Sequence, residues 1–226
     1  MKLSWRTEWP LWLLLAAMFL AAAVTWPTAP DRVPIHWDVK GDVNGYGGKF
    51  EGLLLIPVVA LAIYLFFLVL PRLDPLHMNY AGFAGAFTLF RFTILLFLAA
   101  VEGIIHLWIR GHTVPIPILL PILVGALFLV LGVVLGKLRP NWFMGIRTPW
   151  TLMSRRSWTK THEAARWVFS IAGVIMIVGG LFASAKVLIG AIVFLAVGIL
   201  TLIVYSYLLW RDDPERVSPA SSLHAD

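Results

Sequence analysis

Glu102 and His106 lie four residues apart inside a long apolar run. On a helix that spacing stacks the two side chains on one face. Extending the face in both directions reaches Arg91, Leu95, Leu98 and Arg110. Ionisable groups in a membrane-spanning helix are costly, so they mark either a site or a polar partner. Two readings stand. In one, Arg91, Glu102, His106 and Arg110 form an ion, proton or ligand site, and the chain is a small-solute or proton-coupled transporter. In the other they form a polar packing cluster that sets helix positions. The second is favoured because no other span carries an acid that would complete a relay.

A second candidate chemistry is metal binding. His36, Asp38 and Asp42 share one polar loop, and His106 and His112 lie toward the same side. These are zinc-ligand types without the close spacing of a zinc motif. His36, Glu102 and His106 are the candidate ligands, and they imply a metal-dependent membrane enzyme as an alternative. No cofactor is expected, and zinc is the alternative that these residue types would allow. His162-Glu163 is not followed by the second histidine of a zincin motif. There is no glycine-rich phosphate loop and no nucleophile elbow. Cysteine is absent, which excludes disulfides and thiolate catalysis. The chain is not expected to be an enzyme.

The elements that must position these residues are membrane helices. Of 226 residues, 60% are hydrophobic and only 13% are charged, against about 25% in soluble domains. Mean hydropathy is +0.85. Apolar runs place six spans at about 10–24, 53–70, 86–109, 118–135, 167–182 and 187–210. The expected fold class is all-α, a polytopic membrane protein with six transmembrane helices and no separate soluble domain. The first span reads as a retained anchor. The tail 211–226, with two prolines and paired serines, is expected to be disordered.

Two loops stand out. Residues 27–52 hold three prolines and five glycines, which rules out a long helix. A brief extended piece is expected over 33–39, with turns at 42–45 and 47–48. Its candidate functional residues are His36, Trp37, Asp38, Asn44, Tyr46 and Lys49. Residues 136–166 carry seven Lys or Arg against one acid, Glu163. Pro140, Gly145 and Pro149 make the first part irregular. The stretch 154–166 reads as an amphipathic helix, capped by Ser154 or Ser157, with Trp158, His162, Ala165 and Phe169 on one side. It would either lie on anionic lipid or dock a cytoplasmic protein.

Counting basic residues puts both termini and 136–166 in the cytoplasm, with 13 Lys or Arg inside against five outside. Net charge is +6. Because it follows the membrane topology, the lipid bilayer is the expected partner, with no direct nucleic-acid role.

Two segments resemble known proteins. Val33-Pro34-Ile35-His36-Trp37, then Gly41, Gly45-Tyr46 and Lys49, resembles an N-terminal domain of bacterial membrane proteins. Asn141, Phe143, the run Gly145 through Arg147, Thr148, Pro149, Trp150 and Thr151, then Trp158, Thr161 and His162, resembles the SdpI family. The resemblance implies an N-terminal domain over 1–86 and an SdpI-like domain over 87–226. It implies a multi-pass protein of the bacterial cytoplasmic (inner) membrane. It further implies immunity to, or sensing of, a secreted membrane-active peptide toxin outside, and a repressor protein held inside. On that basis the outer loop would meet the toxin, and Arg147, Thr148, Trp150 and Trp158 would hold the repressor.

Overall fold

Inside a bilayer every backbone N–H and C=O must be satisfied within its own segment, so apolar runs of this length become helices. The computed structural model describes residues 5–216, and its fold is all-α with six helices long and apolar enough to cross a membrane. They are α1 (Trp5–Thr25), α2 (Leu55–Leu73), α3 (Ala84–Ile109), α4 (Ile116–Leu135), α6 (Arg155–Leu181) and α7 (Ala185–Arg211). A four-residue helix, α5 (Pro149–Leu152), precedes α6. A hairpin of β1 (Val33–Trp37) and β2 (Val43–Gly47) fills the 27–52 loop. It sits at one end of the bundle, and the basic stretch 136–154 sits at the other.

Several expected boundaries move, each for a local reason. α1 starts at Trp5 rather than near residue 10, because Glu8 is buried within it and paired across the bundle. Pro71 does not close α2, whose last turn runs to Leu73 and ends as Asp74 N–H donates to Leu70 O. The 154–166 helix does not lie separately at a lipid surface. It is continuous with the fifth span in α6. Those 27 residues rise about 40 Å, against about 30 Å of hydrocarbon, so the charged first turns project beyond it. Ser154 caps α6 by accepting from the Ser157 N–H at 2.9 Å.

The hairpin also differs from expectation. Its turn is 38–42, where the Asp38 carboxylate accepts from the N–H groups of Lys40 and Asp42. Asn44 and Gly45 lie instead in β2, opposite His36. Part of the tail is ordered too. Arg211 completes α7, and Asp213 is buried against α6. The remainder, 217–226, lies outside the described residues.

Helices α4 and α6 pack backbone to backbone. Gly125 and Gly132 are spaced by seven on α4, and Gly173 and Gly180 by seven on α6. A Cβ on Gly125 would come 2.6 Å from Gly173 O, and one on Gly173 would come 2.7 Å from Gly125 O. Gly132 and Gly180 meet the Arg166 and Ile118 carbonyls as closely. Lipid provides no hydrophobic drive between helices, so contact this close supplies the dispersion energy that joins them. Gly179, next in sequence, faces Leu188 of α7 instead. Gly173→Val should push α4 and α6 apart and destabilise by about 1–3 kcal/mol. Gly190→Ala, where an added Cβ meets nothing within 4 Å, should leave the melting temperature in detergent unchanged.

Candidate functional site

The third span does not carry one polar site. Arg91 and Glu102 are eleven residues apart on α3, about 16 Å along the axis. Each has its own partner. Arg91 makes a two-pronged ion pair with Glu8 of α1, at 3.0 Å for Nη1 to Oε1 and 2.6 Å for Nη2 to Oε2. Both side chains are buried. Tyr64 of α2 donates its hydroxyl to Glu8 at 3.1 Å, and Trp12 Nε1 donates to that hydroxyl. The Arg91 guanidinium also lies over the Tyr64 and Phe87 rings. The acid expected to be missing from the spans is thus Glu8, and it serves Arg91, not Glu102. Glu102 faces His106 at 3.2 Å, both buried, while Arg110 is exposed.

The hairpin residues largely hold the hairpin itself. His36 Nδ1 and Asn44 Oδ1 bond across the strands at 2.5 Å. Lys49 donates to Trp26 O, and Arg32 covers the Tyr46 ring. Trp37 is half-buried opposite Val43. Among the described residues no three His, Asp or Glu side chains gather as metal ligands. His36 belongs to the hairpin and His106 to α3, so the proposed zinc set does not form.

The basic end is a hydrogen-bonded latch, built from the motif residues. Asn141, fully buried, accepts from the N–H groups of Phe143 and Met144 and donates to Arg139 O. The chain then turns at Gly145, where φ is +101° and a Cβ would fall 2.3 Å from His162 Nε2. Only glycine suits that conformation and that closeness. The turn aims the Ile146 N–H at His162 Nε2, 3.0 Å away, and His162 Nδ1 lies 2.8 Å from Trp158 O. An amide can only donate and a carbonyl only accept, so the ring is neutral with its hydrogen on Nδ1. His162 stacks on Trp158, whose Nε1 donates to Leu138 O.

The second half of the motif reaches α7. Thr148 and Thr151 form a reciprocal cap on α5, with Pro149 at its first position. Thr148 Oγ1 bonds Ser206 Oγ at 3.0 Å, and Ser157 Oγ donates to Ser206 O. Trp150 packs edge-on against Tyr207. Ser154 Oγ donates to Asp213 at 2.5 Å. The 74–83 connection joins the same latch. Asp74, buried, accepts from Tyr80 Oη, Leu76 N–H and Trp142 N–H, and Asn79 donates to Pro140 O.

Chemically, the latch has little left to offer a substrate. Both His162 nitrogens are taken by backbone groups, and Thr148, Trp158 and His162 are buried. Those three are closed to a partner. What remains outside is Arg147, held by the Trp142 carbonyl, with Trp142, Phe143 and Arg139. Arg139 also walls a cleft of about 1220 Å³, together with residues such as Gly82, Lys137, Arg155 and Glu163. Sequence reasoning missed Glu8, Asp74, Ser206 and Asp213. Asp74-Pro75 was a legible turn signal, but the long-range partners carried no local mark.

Three measurements check this geometry. Glu8→Gln should cost about 3–5 kcal/mol by leaving Arg91 buried and unpaired, and adding Arg91→Met should recover most of the melting temperature. Asn141→Ala should cost about 1–3 kcal/mol by orphaning two backbone N–H groups, whereas Asn141→Asp keeps the Oδ1 acceptor that both N–H groups share, loses only the donation to Arg139 O, and should melt closer to the parent. The Asp213 carboxylate is held below its usual range, first by the Ser154 hydroxyl and then by the Glu215 amide and Arg156 and Arg216. A depressed carboxylate contributes stability in full above about pH 4. That contribution is lost as pH falls through the lowered value, and hydrogen exchange at 212–216 should rise there.

Residues 137–207, which span the latch, match the SdpI/YfhL protein family. Residues 13–61 match a domain of unknown function (DUF1648). The Immunity protein SdpI of Bacillus subtilis (strain 168) is 27% identical over 206 residues, covering 86% of this chain and 92% of its own length. No solved structure matches. Six apolar helices describe a multi-pass membrane protein, and its residues 137–207, which build the latch, are similar to the SdpI/YfhL protein family.

Proposed function

We propose that this protein gives immunity to, or senses, a membrane-active peptide, with the hairpin outside the cell and the latch facing the cytoplasm of a bacterium. The observation that carries the proposal is the similarity to an immunity protein across 86% of the chain. Orientation is argued from charge. Arg91 is neutralised by Glu8 and drops out of the count, yet the seven Lys or Arg of 136–166 still outweigh the hairpin end.

In this reading the hairpin meets the peptide through residues with free surface. Ile35, Val39, Tyr46 and Phe50 are exposed apolar groups beside the bundle. A cytoplasmic repressor would dock at the opposite end on Arg147, Trp142, Phe143 and Arg139. Thr148 and Trp158 act behind that surface by holding its shape. Within 136–166 the buried side chains hold the helices, which leaves the exposed basic ones to face lipid headgroups or a protein.

Two experiments test the proposal. Expression in a strain killed by a membrane-active peptide should raise survival above that of the same strain without the protein. Killing that is unchanged at normal protein level would overturn immunity. Because the chain has no cysteine, single substitutions report sidedness cleanly. A membrane-impermeant maleimide should label Val39→Cys in intact cells, and Arg155→Cys only after permeabilisation. The reverse pattern would invert the orientation.

A further inference from the structure

The Glu102–His106 pair is unused by the latch and by the hairpin, and it borders a cavity. The cavity holds about 420 Å³ between α1, α3 and α4, within the ~300–1,000 Å³ of small-molecule sites. Its walls include Ala21, Ala100, Ile104, Leu119 and Leu123, and are almost wholly apolar. The polar exceptions are His106 and Arg110.

His106 has an unmet need. Its Nε2 faces Glu102, but its Nδ1 is buried without a hydrogen-bond partner. In low dielectric a net charge on the pair is costly. An imidazolium facing a carboxylate carries none, and in that arrangement Nδ1–H is a donor without a partner, open to whatever enters beside it. Arg110, one turn further along α3, is exposed and has no ion-pair partner among the described residues. Its guanidinium offers more donors and a positive charge.

We infer that this cavity binds an acidic amphiphile, its aliphatic chain against the Ala, Ile and Leu walls and its carboxylate or phosphate head between His106 and Arg110. The chemistry has two sources, a free long-chain fatty acid or an anionic bilayer lipid. The inference does not depend on the immunity reading, since it concerns binding by the purified protein.

Gly103 supplies a direct test. It lines the cavity, and a Cβ there would meet nothing within 4 Å. Gly103→Leu should therefore fill the space without disturbing the helix, and its melting temperature checks folding. Native mass spectrometry of the purified full-length protein would follow binding of oleate, and separately of phosphatidylglycerol against phosphatidylcholine. Binding of oleate, or of phosphatidylglycerol over phosphatidylcholine, is expected, and identifies the source. Gly103→Leu should abolish it, and Arg110→Gln should weaken it by about tenfold or more, the effect of losing a charged hydrogen bond. If neither acidic amphiphile binds the parent protein, or if a folded Gly103→Leu binds as well as the parent, the inference fails.

Discussion

A guanidinium cannot lie alone in a hydrocarbon layer, and Arg91 is placed where hydrocarbon would surround it. Much of the first half of the molecule follows from that constraint. Glu8 is drawn into α1 as the counter-charge, so the helix begins before its apolar run does. Tyr64 closes the network from α2. Three helices are thereby held in one rotational setting, because turning any of them would strand a charge or a hydroxyl away from water. Around the pair pack Leu11, Leu15, Ala60 and Leu95, which would fit many other rotations equally well.

The second half is joined by a different force. Between α4 and α6 there is no buried ion pair; backbone is brought against backbone by glycines seven apart, with Phe128 set edge-on to Phe169. Contacts of this kind position helices through shape, and they leave polar control to the helix ends. The latch provides it. Asn141, Asp74, His162, Thr148 and Ser206 satisfy loop amides and carbonyls that would otherwise face a dry interior. A rigid base of this sort lets exposed arginines and aromatics present a fixed surface, whichever partner they meet.

How much of this was legible depended on the range of the interactions. The six helices were readable because bilayer thickness and backbone hydrogen bonding act on continuous stretches. The motif 141–162 could be recognised, yet its residues looked like a docking surface. The structure turns Thr148, Trp158 and His162 inward, because Thr148 meets Ser206 of α7, Trp158 meets the Leu138 carbonyl and His162 meets the Ile146 amide, contacts that form only once the 136–148 stretch folds against α6 and α7. The hairpin was half legible. Extended backbone is expected over 33–39 and the strand fills 33–37 of it, but the turn falls at 38–42, where Asp38 gathers two amides that a count of glycines does not reveal.

The Glu102–His106 pairing followed from the four-residue spacing alone, since a helix repeats every 3.6 residues. Arg91 seemed to belong with it by the same periodicity. Periodicity gives a face and not a neighbour, and the neighbour was 83 residues away in Glu8. By itself the sequence determined helix number, the basic end and the local caps, because these depend on residues close in the chain. Only the tertiary structure decided which charge neutralises which, which motif side chains stay buried, and where a cavity opens beside His106. Those outcomes depend on helices meeting across the bundle, and no local pattern encodes that contact.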